Sequence, residues 1–170
     1  LLMKMGEIVG DLLADQVNSG GADVVQIFDT WAGLLSNEDY RNLSQIATEK
    51  AIQVFREKSK KFVPLIHYAK GSGHLHNQIR DMDIQGLSLD WRDDMRYNRE
   101  NYGEMIAFQG NLDPSKLHGS TDVAKEAAAR VLKLAGGKPG HIFNLGHGFA
   151  PSARIDCVEA VIRTVCGDIP

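Results

Sequence analysis

His141-Ile142-Phe143-Asn144-Leu145-Gly146-His147-Gly148-Phe149-Ala150-Pro151 is a short apolar run that breaks into Asn, Gly, His and Gly ahead of a helical pattern. The run predicts a strand, and the break predicts a histidine delivered to the loop at that strand's C-terminal end. In a parallel α/β barrel this is the edge where active sites are built. Glycines on both sides of His147 leave room for a ligand or a backbone to come close. Glycine turns after strands also have a purely conformational job, so position alone leaves a functional and a structural reading of His147 open.

Upstream, the same alternation repeats. The chain opens in helical rhythm, with Leu1, Met5, Ile8, Val9, Leu12, Leu13 and Val17 on one face, and Asn18-Ser19-Gly20-Gly21 as a stop. There is no initiator Met and no N-cap ahead of that pattern, which reads as a sequence cut from something longer. A β-rich run over 22–28 ends at Asp29-Thr30. Ser36 with Asp39 forms a capping box for a helix striped by Leu43, Ile46, Ala47, Ala51, Val54 and Phe55 and closed by Lys58-Ser59-Lys60-Lys61, cations suited to a helix C-terminus. Further strands are expected over 62–68, with Pro64 tolerable only near the strand start, and over 84–90, 105–109 and 141–145. Between them fall short helices near 77–82 and 95–101, and a longer one over 121–134 that stops at Gly136-Gly137. Asp113-Pro114 reads as N-cap and N1. A final helix carries Val158, Val161, Ile162 and Val165. A leading helix and five β–α units imply a parallel sheet with right-handed crossovers. The pattern fits most of an eight-stranded barrel, and equally a five-stranded doubly wound domain of flavodoxin type.

Composition narrows the function classes. The 170 residues are 43% hydrophobic and 24% charged, enough for one core. A net charge of −3 gives no electrostatic reason to expect nucleic acid. No apolar stretch approaches the roughly 20 residues that span a bilayer, and Asp11 and Asp15 interrupt any signal-peptide core. Cys157 and Cys166 fall on opposite faces of one predicted helix, so they do not bridge each other and read as packing thiols.

The strand ends collect the polar residues: Asp29-Thr30, His67 with Lys70, Asp90, Asn111 with Asp113, and Asn144 with His147. Asp90 and Asp113 fit helix caps or turn formers better than catalysts. His67, inside an apolar run, reads as a packed, hydrogen-bonded histidine, and Lys70 fits a solvated side chain. His74-Leu75-His76, placed in a Gly-rich loop, has no third ligand at motif spacing, so no metal site is expected. Gly71-Ser72-Gly73 is neither a phosphate loop nor a nucleophile elbow.

Read together, Gln26-Ile27-Phe28-Asp29-Thr30-Trp31-Ala32-Gly33, Gly86-Leu87-Ser88-Leu89-Asp90-Trp91, Gln109-Gly110-Asn111-Leu112-Asp113-Pro114 and Asn144-Leu145-Gly146-His147-Gly148 resemble, in that order, the uroporphyrinogen decarboxylase family. The resemblance covers nearly the whole chain. It implies an α/β fold in which residues 1–170 are a single domain, the C-terminal part (about five β/α units) of a (β/α)₈ TIM barrel without its N-terminal strands. It also implies cofactor-free removal of the four acetate carboxyls of uroporphyrinogen to give coproporphyrinogen, in porphyrin and haem biosynthesis. The enzyme would be a cytoplasmic (or plastid stromal) homodimer with a tetrapyrrole substrate and no metal.

Three substrate-binding positions carry over: Thr30, whose hydroxyl donates to substrate; His147, which meets a substrate carboxylate; and Phe28, an apolar wall beside the tetrapyrrole. A hydroxyl can donate to a carboxylate, and a charged imidazole can too. The family's arginine motif, its pyrrole-binding aspartate and its tyrosine lie outside these residues. The catalytic residues are therefore unassigned, and the chain alone is expected not to turn over. An open half-barrel is expected to self-associate through its sheet edges.

Two alternatives stand beside this reading. One is a non-catalytic tetrapyrrole- or corrinoid-binding module. The other is a divergent corrinoid methyltransferase-like barrel, although His67-Tyr68-Ala69 lacks the thiolate of that branch's H-x-C.

Overall fold

A computed structural model describes residues 1–167, which form two compact units, Leu1–Leu87 and a second beginning at Ser88. The first opens with α1 (Leu2–Asn18), followed by β1 (Val25–Phe28). A short helix α2 (Asn37–Asp39) runs through a π-helical stretch, Tyr40–Gln45, into α3 (Ile46–Lys58). Then come β2 (Leu65–Tyr68), α4 (His76–Arg80) and β3 (Gly86–Ser88), whose last residue begins the second unit. The second unit continues through α5 (Met95–Tyr102), β4 (Ala107–Gln109), α6 (Thr121–Ala135), β5 (His141–Ile142) and α7 (Ile155–Cys166). No helix among the described residues is long and apolar enough to cross a membrane.

In the first unit β1 and β2 pair in parallel, with Ile27 opposite His67 and Phe28 opposite Tyr68. The Gln85 amide continues the ladder by donating to the Leu65 carbonyl at 2.9 Å. Pro64 sits one residue before β2, where its missing N–H costs nothing and its carbonyl accepts from Val25. All four residues of β2 are buried.

The expected face of α1 is only partly the buried one. Leu13 and Val17 are buried, but Met5, Ile8 and Leu12 are exposed, and the burial runs instead through Gly6, Gly10 and Ala14. The reason is helix–helix distance. A Cβ on Gly6 would stand 2.5 Å from the Ala47 carbonyl oxygen, and one on Gly10 2.6 Å from that of Ala51. Two helices this close meet through glycine, a choice that apolar periodicity does not register.

The Ser36 cap forms as expected, its Oγ accepting from the Asp39 amide at 3.1 Å. The π-helical stretch shifts the face that follows, leaving Leu43 and Ile46 exposed while Ala51, Val54 and Phe55 carry the burial. At the opposite end of α3, Arg56 is fixed on four sides. It pairs with Asp83 at 2.8 Å, donates to the Val63 carbonyl at 2.8 Å and to Gln85 Oε1 at 2.6 Å, and lies over the Phe62 ring.

In the second unit β4 and β5 pair in parallel, Phe108 opposite His141. β5 is shorter than expected, but the pairing resumes as a bridge between Leu112 and Leu145. Leu112, Leu117, Ala124, Ala128, Cys157 and Val161 form the core between the strand-end turn, α6 and α7. Ser120 and Asp113 act as caps, accepting from the Val123 and Ser115 amides. Gly136 ends α6 at φ 81°, the left-handed conformation glycine adopts without strain. Cys157 is buried and Cys166 exposed, on opposite faces as their spacing requires, so Cys157 alone is the packing thiol expected of both.

Candidate functional site

In the first unit the site is built where β1 ends. Asp29 donates its amide to the Tyr68 carbonyl at 2.8 Å, and its own carbonyl receives the Ala32 amide at 3.1 Å. This tight turn sets Thr30, half-buried, just past the strand. Gly33 lets the loop after β1 lie against the loop after β2, because a Cβ there would fall 2.0 Å from the Lys70 carbonyl oxygen. Lys70 extends over the Trp31 ring, 5.9 Å from its centroid, so it is more than a solvated side chain. Phe28 is 69% exposed and meets Tyr68 edge-on, their centroids 6.0 Å apart. That exposed ring is available as an apolar wall.

Behind that turn lies a polar cluster that sequence reasoning misses. Ser44 Oγ donates to Asp29 Oδ2 in a short contact. Burial raises the Asp29 carboxyl above the usual range, and the Ser44 bond opposes it. Tyr40 is fully buried, its hydroxyl without a hydrogen-bond partner among the described residues. Burial, with Asp29 and Glu49 nearby, pushes its ionisation up. A cavity of about 380 Å³ opens beside Asp29 and Ser44, walled by Met5, Ile27, Trp31 and Leu43. The available signal was the π-helical register, which cannot be read from residue types alone.

His67 is fully buried and neither ring nitrogen has a hydrogen-bond partner among the described residues. Burial, with a smaller contribution from His76, lowers its pKa to about 4. It is packed, as expected, but without the hydrogen bond expected of a buried histidine, because the apolar strand around it offers no partner. His74 and His76 are not in one loop: His74 lies in a 3₁₀ turn and bonds the Leu35 carbonyl at 2.9 Å, while His76 opens α4 and is buried. No group of three or more His, Cys, Asp or Glu is placed to hold a metal among the described residues.

In the second unit, the ends of β3, β4 and β5 converge. Gly110 leaves β4 at φ 119°, and its peptide to Asn111 is cis. Asn111 is buried and donates to the Asp90 and Asp93 carbonyls, both at 2.8 Å. Asp90, fully buried, accepts from the Arg92 amide and holds the Arg92 guanidinium through both oxygens, at 2.8 and 2.7 Å. Arg92 lies over the Trp91 ring at 4.6 Å.

His147 approaches the same indole, its ring centroid 6.1 Å from that of Trp91. The two flanking glycines do different jobs. A Cβ on Gly146 would stand 2.2 Å from the Trp91 amide nitrogen, so Gly146 is fixed by packing, whereas Gly148 faces open space. Asn144 serves the turn, its side chain accepting from the Leu145 amide at 2.8 Å. A cavity of about 610 Å³ is lined by Trp91, Asp94, Asn111, Asp113, Lys116 and Arg130. His141, at the start of β5, donates to the Gly110 carbonyl at 2.7 Å, and burial lowers its pKa.

Thr30 and Phe28 thus occupy the end of β1 in the first unit, and His147 the end of β5 in the second. Trp91 and Arg92 were quoted or passed over in the sequence without a role. The signal was an Asp-Trp-Arg triplet directly after a strand.

Comparison with known proteins adds names to this geometry. The chain is 39% identical over 170 residues to the uroporphyrinogen decarboxylase of Coxiella burnetii strain Dugway 5J108-111, a match covering 97% of this chain and 46% of the relative. It is 38% identical over 165 residues to the enzyme of that name from Koribacter versatilis, with the same coverage. The chain therefore spans about half the length of the curated relatives it matches. Among solved structures, a methyltransferase from Methanosarcina mazei superposes with a TM-score of 0.75 at 21% identity, over 94% of this chain and 46% of that one, a likeness of fold alone. The model of the uroporphyrinogen decarboxylase (URO-D) family matches residues 1–167. That match over nearly the whole chain places this protein, with its five parallel β/α units of a TIM-barrel fold, in the uroporphyrinogen decarboxylase family.

Proposed function

We propose that this chain forms part of the substrate cleft of a uroporphyrinogen decarboxylase, acting in porphyrin and haem biosynthesis in the cytoplasm or a plastid stroma, as a homodimer. The observation that supports this most is His147 at the end of β5, set against Trp91 by Gly146. In this reading His147 meets a substrate carboxylate, the Thr30 hydroxyl donates to the substrate, and the exposed Phe28 ring walls the tetrapyrrole. Breaking the bond between an acetate carboxyl and its methylene leaves an electron pair on carbon. A protonated pyrrole must take up that pair, a carboxylate must stabilise the pyrrole cation, and an acid must return a proton to the methylene. The arginine and aspartate motifs that the family uses for these steps are not among these residues, so the contribution of this chain is binding and orientation.

The test is anaerobic incubation of the protein at its full native length with uroporphyrinogen, then chromatography of the oxidised porphyrins. The seven- to four-carboxyl series should appear, and His147→Ala should lower kcat/KM about a hundredfold, the scale of losing one preorganised polar contact in the transition state. Conversion at the unaltered rate in His147→Ala would remove His147 from the site. A folded protein that converts nothing would favour a non-catalytic binding module.

A further inference from the structure

We propose that Arg92, held by Asp90 and laid across Trp91, forms with His147 a carboxylate-binding subsite for a side chain of the tetrapyrrole substrate, a proposal that rests on the reading above. The argument begins with the buried anion. Asp90 has no solvent exposure, and an isolated buried carboxylate is costly. Here it is compensated on all sides: the Arg92 amide, Nε and Nη2 donate to its two oxygens, and its backbone carbonyl takes the Asn111 side chain. The bidentate pair fixes the plane of the guanidinium. A guanidinium carries five donors in a rigid fork, and Asp90 engages Nε and Nη2. The Arg92 side chain nonetheless remains 55% exposed.

An ordinary surface arginine explores many rotamers, and ordering it on a ligand costs side-chain entropy. Arg92 has that cost already met by Asp90 behind it and by the indole beneath it at 4.6 Å. The second wall is His147, whose ring lies 6.1 Å from the same indole at an interplanar angle of 32°. Gly146 brings them together, since any side chain there would strike the Trp91 backbone. One aromatic plate thus carries a fixed guanidinium and an imidazole, both with donors suited to a carboxylate. Asp93 and Asp94 follow Arg92 directly. Asp93 is turned back to accept the Asp90 amide, and Asp94 caps α5 through the Tyr97 amide, so both carboxylates are committed to the backbone. A propionate or acetate of an octacarboxylate tetrapyrrole is the ligand chemistry that fits.

The experiment uses uroporphyrin, the oxidised octacarboxylate, as probe. It is titrated into the protein at its full native length, with Trp31 and any tryptophan outside these residues replaced by Phe so that Trp91 fluorescence alone reports. Binding should quench Trp91. Arg92→Ala should weaken the affinity about tenfold, with Arg92→Lys intermediate because it keeps the charge and loses the fork. The difference between wild type and Arg92→Ala should shrink as salt is raised. A melting temperature unchanged in Arg92→Ala checks that the fold is intact; if it falls, Arg92→Lys, which keeps the cation over the indole, carries the comparison.

Equal affinity in the Arg92 variants and wild type, or no binding by wild type, overturns the subsite. The decarboxylation assay separates this from the broader reading. Uroporphyrinogen conversion with Arg92-independent binding leaves the enzyme standing and removes the subsite. Arg92-dependent binding without conversion keeps the subsite and removes the enzyme.

Discussion

Arg99 and Arg92 belong to the same unit and are used in opposite ways. Arg99, ahead of β5, donates to the carbonyls of Ala135, Lys138, Pro139 and Gly140, at 2.8 to 3.2 Å. It ties the turn after α6 to α5 and fixes how the chain enters β5. Arg92, at the far end of β3, holds a buried carboxylate through both of its oxygens and keeps more than half its side chain exposed. In the first unit Arg56 repeats the first pattern, bound to a carbonyl, a carboxylate and an amide ahead of β2 and β3. The two arginines that lead into strands are consumed by several structural partners, while Arg92, which follows a strand, is held from behind and displayed. This is the division between a stability face and a chemistry face that parallel barrels show.

Substitutions can break that contrast, and the largest effect is expected in the turn that seats His147 against Trp91. Gly146→Ala forces a Cβ against the Trp91 backbone and should cost about 3 kcal/mol or more in denaturant melts, since backbone cannot yield as a side chain can. A cost under about 1 kcal/mol would mean that the loop yields to the added Cβ.

Next is His67, whose folded pKa of about 4 lies below its unfolded value. The unfolded chain then binds more protons below about pH 6.5, so this histidine's stability is complete above that pH and is lost as pH falls towards 4. The swing is on the order of 2 to 3 kcal/mol. His67→Leu should flatten the stability–pH curve in that window, and an unchanged slope would assign the acid sensitivity to other groups.

Arg99→Ala follows, with about 2 kcal/mol lost as several carbonyls give up a charged donor, measured by urea titration. The smallest stability effect sharpens the contrast most. Arg92→Lys should shift stability by less than about 1 kcal/mol, because the ammonium still neutralises the buried Asp90 carboxylate and only the fork is lost. A loss as large as that of Arg99→Ala would place both arginines in the same structural class.

Much of the fold was legible because strand, cap and stop signals are local. Ser36 and Asp113 cap where their side chains predict, and Gly136 stops α6 in the left-handed region. What escaped is what depends on partners distant in sequence. The buried face of α1 is decided by Ala47 and Ala51 across the helix pair, so Met5, Ile8 and Leu12 looked like core and are not. The π-helical turn at Tyr40–Gln45 rotates Ser44 onto Asp29, a pairing no spacing rule between positions 29 and 44 anticipates. At the candidate site, His147 and Thr30 were found through a motif. Arg92 was passed over because an arginine two residues after an aspartate reads as a surface turn until the aspartate is seen to be buried. Asp90 was read as a turn former, and it is one, accepting the Arg92 amide. The same oxygens also fix the guanidinium.

At Gly6 and Gly10, α1 comes so near the Ala47 and Ala51 carbonyls of α3 that no side chain of α1 separates the two backbones there. Interfaces lined by leucine or methionine can breathe, since one rotamer can change while the rest hold. An interface of glycine against carbonyl has no such partial movement. It is either closed or parted along its length, so α1 and α3 should open together. The amides in the middle of both helices should then exchange with solvent at a common, slow rate.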